Sequence, residues 1–159
     1  MSKKLKIIIA ALLLLTAVVA VIHLGNQKDV KCLLINYAGE EIAVSFEDLN
    51  KQEFSGELID GKGDVTSHVY TGVLLKDLLA EKGIELSTVS GLKITSADNY
   101  SVEFGKDEVL AEDRLYAATV ADGKAIEGID PGTEGVQIII FGDENSRRCV
   151  RFASIITVY

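Results

Sequence analysis

Tyr70-Thr71-Gly72-Val73-Leu74-Leu75-Lys76-Asp77-Leu78-Leu79 is the most informative stretch of the chain. Val73, Leu74, Leu75, Leu78 and Leu79 gather on one face at helical spacing, while Lys76, Asp77, Glu81 and Lys82 supply a wet face. The pattern predicts a helix over residues 71–82, and Gly83 stands where a left-handed C-cap is expected.

Outward from this helix the sequence reads as strands. On its N-terminal side, residues 31–37 and 42–44 are extended and flank an Ala38-Gly39-Glu40-Glu41 turn, which makes a hairpin. Ser45-Phe46-Glu47-Asp48 has the spacing of an N-cap with an acid three residues on, which predicts one helical turn through Leu49. Residues 54–59 and 65–70 are extended around the turn Asp60-Gly61-Lys62-Gly63-Asp64. On its C-terminal side, residues 92–97 and 100–104 alternate apolar and polar positions about Asp98-Asn99. A short helix is expected over 106–110, a strand over 115–120, and a turn at Asp122-Gly123. Residues 128–135 are a glycine-bearing loop, 136–141 a buried strand, 142–146 a polar loop, and 149–159 a long closing strand. Strand and helix do not alternate regularly, so the chain reads as a β-rich α+β domain.

The first 24 residues differ from the rest. Residues 7–24 contain no Asp, Glu, Lys or Arg, and Lys3, Lys4 and Lys6 precede them. As a helix the run would rise roughly 27 Å, close to the hydrocarbon thickness of a bilayer. The expected organisation is an anchor or signal over 1–24, a linker over 25–30 and one domain over 31–159. Flanking lysines place the N-terminus in the cytoplasm and the domain outside it, as a single-pass membrane protein. The competing expectation is a cleaved secretory signal, with Val18 and Ala20 as the small residues at the cleavage site. His23 sits at the edge of the span as an interfacial residue.

The whole chain of 159 residues carries 16 Lys+Arg against 24 Asp+Glu, a formal charge of −8. Without the three N-terminal lysines, 13 basic residues face 24 acidic ones. That balance argues against nucleic acid as a partner. Two cysteines exclude a disulfide-dense scaffold and a four-cysteine zinc site. There is no phosphate loop, nucleophile elbow, paired-histidine helix or Cys-x-x-Cys.

Few residues remain as candidates for chemistry. His68 is the only histidine outside residues 1–24, in a strand-like stretch that suits packing or surface display. Asp60 and Asp64 lack the spacing of a calcium loop and read as turn residues. Arg147, Arg148 and Arg151 are three of the four arginines. Arg147 and Arg148 either hold an anion or neutralise Asp143 and Glu144, with Arg151 facing outward on the last strand. Cys32 and Cys149, in the first and last strands, either pair in an oxidising compartment or stay as two buried thiols.

The 70–79 stretch resembles the aromatic-x-Gly-Val-x-Leu-x-Asp-Leu-Leu helix of the sulfite-oxidase-like, molybdopterin-binding oxidoreductase domain. Further matches follow in order: Ser96-Ala97-Asp98-Asn99-Tyr100-Ser101-Val102, Leu115-Tyr116-Ala117-Ala118, Asp122-Gly123-Lys124-Ala125-Ile126, and the strands over 136–141 and 150–158. The likeness spans about residues 30–159. It implies a single sulfite-oxidase-like mixed-sheet domain and, in the family's enzymes, molybdenum held by a cysteine before the helix. Residues 54–70 contain no cysteine. Thr133-Glu134-Gly135-Val136-Gln137-Ile138 stands where the family has a His-Gly-x-Pro-x-Arg stretch. The resemblance thus implies the fold without the thiolate that such a metal requires. The expectation is a membrane-tethered binding or accessory module with no cofactor, whose partner is a small anionic ligand or an envelope protein. The alternatives are a reduced molybdopterin oxidoreductase, with Arg147, Arg148 and His68 on the cofactor, and a structural interaction domain.

Overall fold

A computed structural model describes residues 32–47 and 49–159. The candidate span 7–24 and the linker 25–30 lie outside the described residues. Among the described residues no helix is long and apolar enough to cross a membrane.

Ten strands form two five-stranded sheets. The first is built from β1 (Cys32–Tyr37), β2 (Glu40–Ser45), β5 (Gly91–Ser96), β6 (Ser101–Gly105) and β10 (Ala153–Val158), in the order β2-β1-β10-β5-β6. Its β1–β10 pair is parallel, with Leu34 opposite Ile155, and its other pairs are antiparallel. The second has β3 (Gln52–Ile59), β4 (Val65–Leu74), β7 (Leu115–Ala121) and β8 (Lys124–Ala125) in that order, with β9 (Gln137–Ile140) also paired to β7. Helices α1 (Leu75–Glu81) and α2 (Lys106–Leu110) complete the β-rich α+β domain.

Tight turns carry the hairpins. Ala38 and Gly39 both have positive φ, as do Asp122 and Gly123, which suits the right-handed twist of two-residue connections. Gly83 at φ +78° closes α1, where Ile84 N–H donates back to the Leu79 carbonyl.

The main core joins the facing sides of the sheets. Leu33, Ile35, Ile94 and Ile156 of the first sheet, Ala117 and Ile138 of the second, and Leu75 and Leu79 of α1 are fully buried within it. Alternate residues of the second sheet point the other way. Leu58, Tyr70, Leu74, Tyr116 and Ile139 form a second apolar cluster on its outer face. The sheet therefore buries both faces, which explains the unbroken apolar run at 138–140.

Several boundaries depart from the sequence expectation. The helix expected over 71–82 begins only at Leu75, because β4 continues to Leu74. Val73 enters the main core and Leu74 the outer cluster, an alternation that only a strand provides. No helical turn forms at Ser45: β2 runs through it, and bends then deliver Phe46 and Leu49 into the core. The closing strand expected over 149–159 is shorter. Val150 makes an isolated bridge to Ile138, and a turn with Phe152 at φ +54° precedes β10. Arg151 lies in that turn rather than on a strand.

Candidate functional site

The strongest charge cluster joins α2, the start of β7 and the loop after β9. Glu108 grips Arg148 with both oxygens, at 2.7 Å and 3.0 Å. Asp143 lies 3.2 Å from Arg148 Nη1 and 2.7 Å from Arg114 Nη2, and Arg114 also reaches Glu108. Arg148 additionally donates to the Glu103 carbonyl and stacks on the Phe104 ring at 4.7 Å. Two cations and two anions thus balance in charge, while Arg114 Nε is buried without a hydrogen-bond partner among the described residues. The Arg148 guanidinium, chiefly by hydrogen bonding, holds the Glu108 carboxyl down to about 2. The neutralising partners of Arg148 are Glu108 and Asp143, whereas the sequence suggested Asp143 and Glu144.

Arg147 has no ion-pair partner among the described residues. It is exposed, and its guanidinium lies alongside Gly61 at the tip of the β3–β4 hairpin. Its carbonyl accepts from the Tyr100 hydroxyl at 2.8 Å. The neighbouring turn is as read from sequence: Asp60 Oδ1 accepts from the amides of Lys62 and Asp64.

His68 stands apart from the arginines, on β4. Its Nδ1 lies 2.7 Å from Asp122 Oδ2. The other Asp122 oxygen accepts from the Val69 amide, and the Asp122 amide donates to the Val69 carbonyl. Asp122 is held below the usual carboxylate range, first by the His68 hydrogen bond and then by that amide. The structure therefore separates the three expected cofactor contacts: Arg148 is neutralised, Arg147 is at a hairpin tip, and His68 belongs to an Asp–His pair.

The outer cluster is aromatic. Phe54 stacks on Tyr116 with centroids 4.0 Å apart and on Tyr70 at 5.6 Å, and Phe141 meets both Phe54 and Tyr116 edge-on. Burial pushes the Tyr70 phenol up to about 12. Cys149 packs against this cluster as a free thiol, and burial raises its pKa as well. The side chain of Cys32, the candidate for pairing with it, lies outside the described residues.

Glu108 and Asp122 escaped the sequence reading. A signal existed for Glu108, three residues after Gly105, whose amide its carboxylate caps at 3.1 Å. Asp122 was legible only as a turn residue, because its two partners on β4 lie far away in sequence.

The molybdenum cofactor implied by the sequence resemblance needs a thiolate from the hairpin before α1 and cations for its phosphate. The β3–β4 hairpin offers no thiol. The Phe141 ring packs on Gly56 so closely that a β-carbon there would lie 2.6 Å from it. Among the described residues no three His, Cys, Asp or Glu side chains converge on a metal-sized site. Arg114 and Arg148 are already paired. The hairpin thus lacks the thiolate that the resemblance implies for the metal, while Arg147 remains without an ion-pair partner among the described residues.

Comparison with solved structures yields the fold. The sulfane dehydrogenase SoxCD from Paracoccus pantotrophus matches with a TM-score of 0.64 at 19% identity. The match covers 80% of this chain and 38% of that one, so the chain spans well under half the length of its structural neighbour. The domain thus has a sulfite-oxidase-like fold, as its motif order implied. No family model matches the chain, and no curated protein does.

Proposed function

We propose that the chain is a membrane-tethered, extracytoplasmic binding or accessory module that uses the sulfite-oxidase-like fold without molybdenum chemistry. One observation carries this reading. The hairpin from which the resemblance draws the metal's thiolate has none. The charge-free run over 7–24 behind three lysines supports the tether. Arg147, exposed and with no ion-pair partner among the described residues, is a guanidinium available to a small anionic ligand. An envelope protein is the other partner class.

The likeness to SoxCD favours one second reading, a reduced molybdopterin oxidoreductase. Molybdenum analysis and pterin fluorescence of the purified full chain separate the two. The proposed module carries neither; equimolar molybdenum with a pterin overturns it. For the tether, alkaline carbonate extraction is expected to leave the chain in the membrane pellet, and release into the supernatant would exclude an uncleaved anchor.

A further inference from the structure

β3 is an end strand of the second sheet, eight residues long, and pairs only with β4 among the described residues. The orientation of its backbone follows from β4. The Val69 amide and carbonyl are taken by Asp122, on the β7 side. In an antiparallel ladder successive residues turn their polar groups to opposite sides, so those of Tyr70 point to β3 and meet its partner Phe54. The same alternation turns the amides and carbonyls of Glu53, Ser55 and Glu57 away from the sheet. All three residues are exposed. The strand contains no Pro or Lys, and its ladder with β4 has no register shift. Those are devices by which natural edges discourage added strands.

Charge decides the occupant. Glu53 and Glu57 stand two registers either side of Ser55 and share one face of the strand with it. At the Gln52 end a groove of about 200 Å³ opens between β3 and α1, with Asp77 and Glu81 on its wall and Val73 and Leu78 beneath. A second copy of this chain would set glutamates against glutamates, on a domain that over residues 31–159 has 23 acids to 12 bases. A basic strand meets opposite charge instead. On the opposite face the half-buried Phe54 offers apolar contact.

We propose that the β3 edge binds an extended segment of a partner protein by strand addition. The segment alternates Lys or Arg with apolar residues, its cations facing Glu53 and Glu57 and its apolar residues facing the Phe54 side. This deepens the binding-module reading and rests on it.

The test titrates the full chain with a capped peptide of alternating Lys and Val. Binding is expected to protect the amides of Glu53, Ser55 and Glu57 from hydrogen exchange and to weaken as salt rises. Ser55→Pro removes an outward donor and should weaken binding roughly tenfold or more. Since proline also alters the backbone, Glu53→Lys with Glu57→Lys serves as a second arm that keeps it. It should lose the basic peptide and gain one of alternating Glu and Val. Unchanged affinity in both variants, or protection elsewhere, overturns the edge site. Sedimentation showing a concentration-dependent dimer that Ser55→Pro abolishes also overturns it, in favour of a second copy. A failed titration defeats the edge assignment alone, whereas the binding-module reading falls only to the cofactor analysis.

Discussion

Glu108 and Arg148 meet as two parallel hydrogen bonds, 2.7 Å from Oε1 to Nη1 and 3.0 Å from Oε2 to Nη2. The same carboxylate caps the Gly105 amide at the start of α2. One side chain therefore fastens that helix to the loop that follows β9. Glu108→Gln keeps the shape and removes the charge. It is expected to cost on the order of 2 kcal/mol in denaturant unfolding, since it leaves two part-buried guanidinium groups to Asp143 alone. The pH dependence follows from the depressed carboxyl, about 2 against an ordinary 4.5. Stability from this group is complete above the ordinary value and is lost as pH falls from there toward 2. The variant's stability should fall less steeply over that window; an equal slope would show that the pair does not link folding to acid.

Gly72 lies at the register shift between β4 and β7. A β-carbon there would overlap the carbonyl oxygen of Ala117, which is backbone and cannot swing aside. Gly72→Ala should cost at least about 3 kcal/mol or prevent folding, as overpacking against main chain does. Gly123→Ala faces open space and carries only its positive-φ penalty, about 1 kcal/mol, so thermal unfolding of the two variants should differ clearly.

Tyr70 ionises only near pH 12 because its ring is buried against Phe54 and Cys149. The folded state thus holds the phenolic proton more tightly than the unfolded chain. This contribution to stability is whole below the ordinary value of 10 and disappears as pH rises from 10 to 12. A spectrophotometric titration of the five tyrosines should show a late phase that Tyr70→Phe removes. The same variant should move alkaline unfolding to higher pH.

Cys149 combines burial with a raised thiol pKa. Reactive thiols need the opposite environment. Iodoacetamide at neutral pH should label Cys149 far more slowly in the native chain than in urea, as read by peptide mass spectrometry. Rapid native labelling would mean that the packing against the aromatic cluster opens easily.

Local signals were legible because they are set by neighbours in sequence. The Asp60–Asp64 turn, Gly83 after α1 and the Asp98-Asn99 hairpin needed only the conformational habits of Gly, Asp and Asn. The start of α1 was not legible in this way. Val73 and Leu74 look like part of a helical stripe until the second apolar cluster is known, and that cluster exists only once Phe54, Tyr116 and Ile139 arrive from other strands. Arg148 shows the same limit. Asp143 is five residues off and was anticipated, whereas Glu108 is brought by folding. His68 showed no partner in sequence, because Asp122 reaches it across the β4–β7 pair.

The parallel pairing of Leu34 with Ile155 ties the first strand to the last. Loop closure over nearly the whole domain must be accomplished before that pair can form. A chain emerging N-terminus first therefore presents β1 with no partner on its β10 side until residues 153–158 have followed. β10 is the strand that closes this sheet between β1 and β5. A chain lacking residues 150–159 would lose β10, leaving β1 without its parallel neighbour and β5 with one open edge, each a template for unwanted strand pairing.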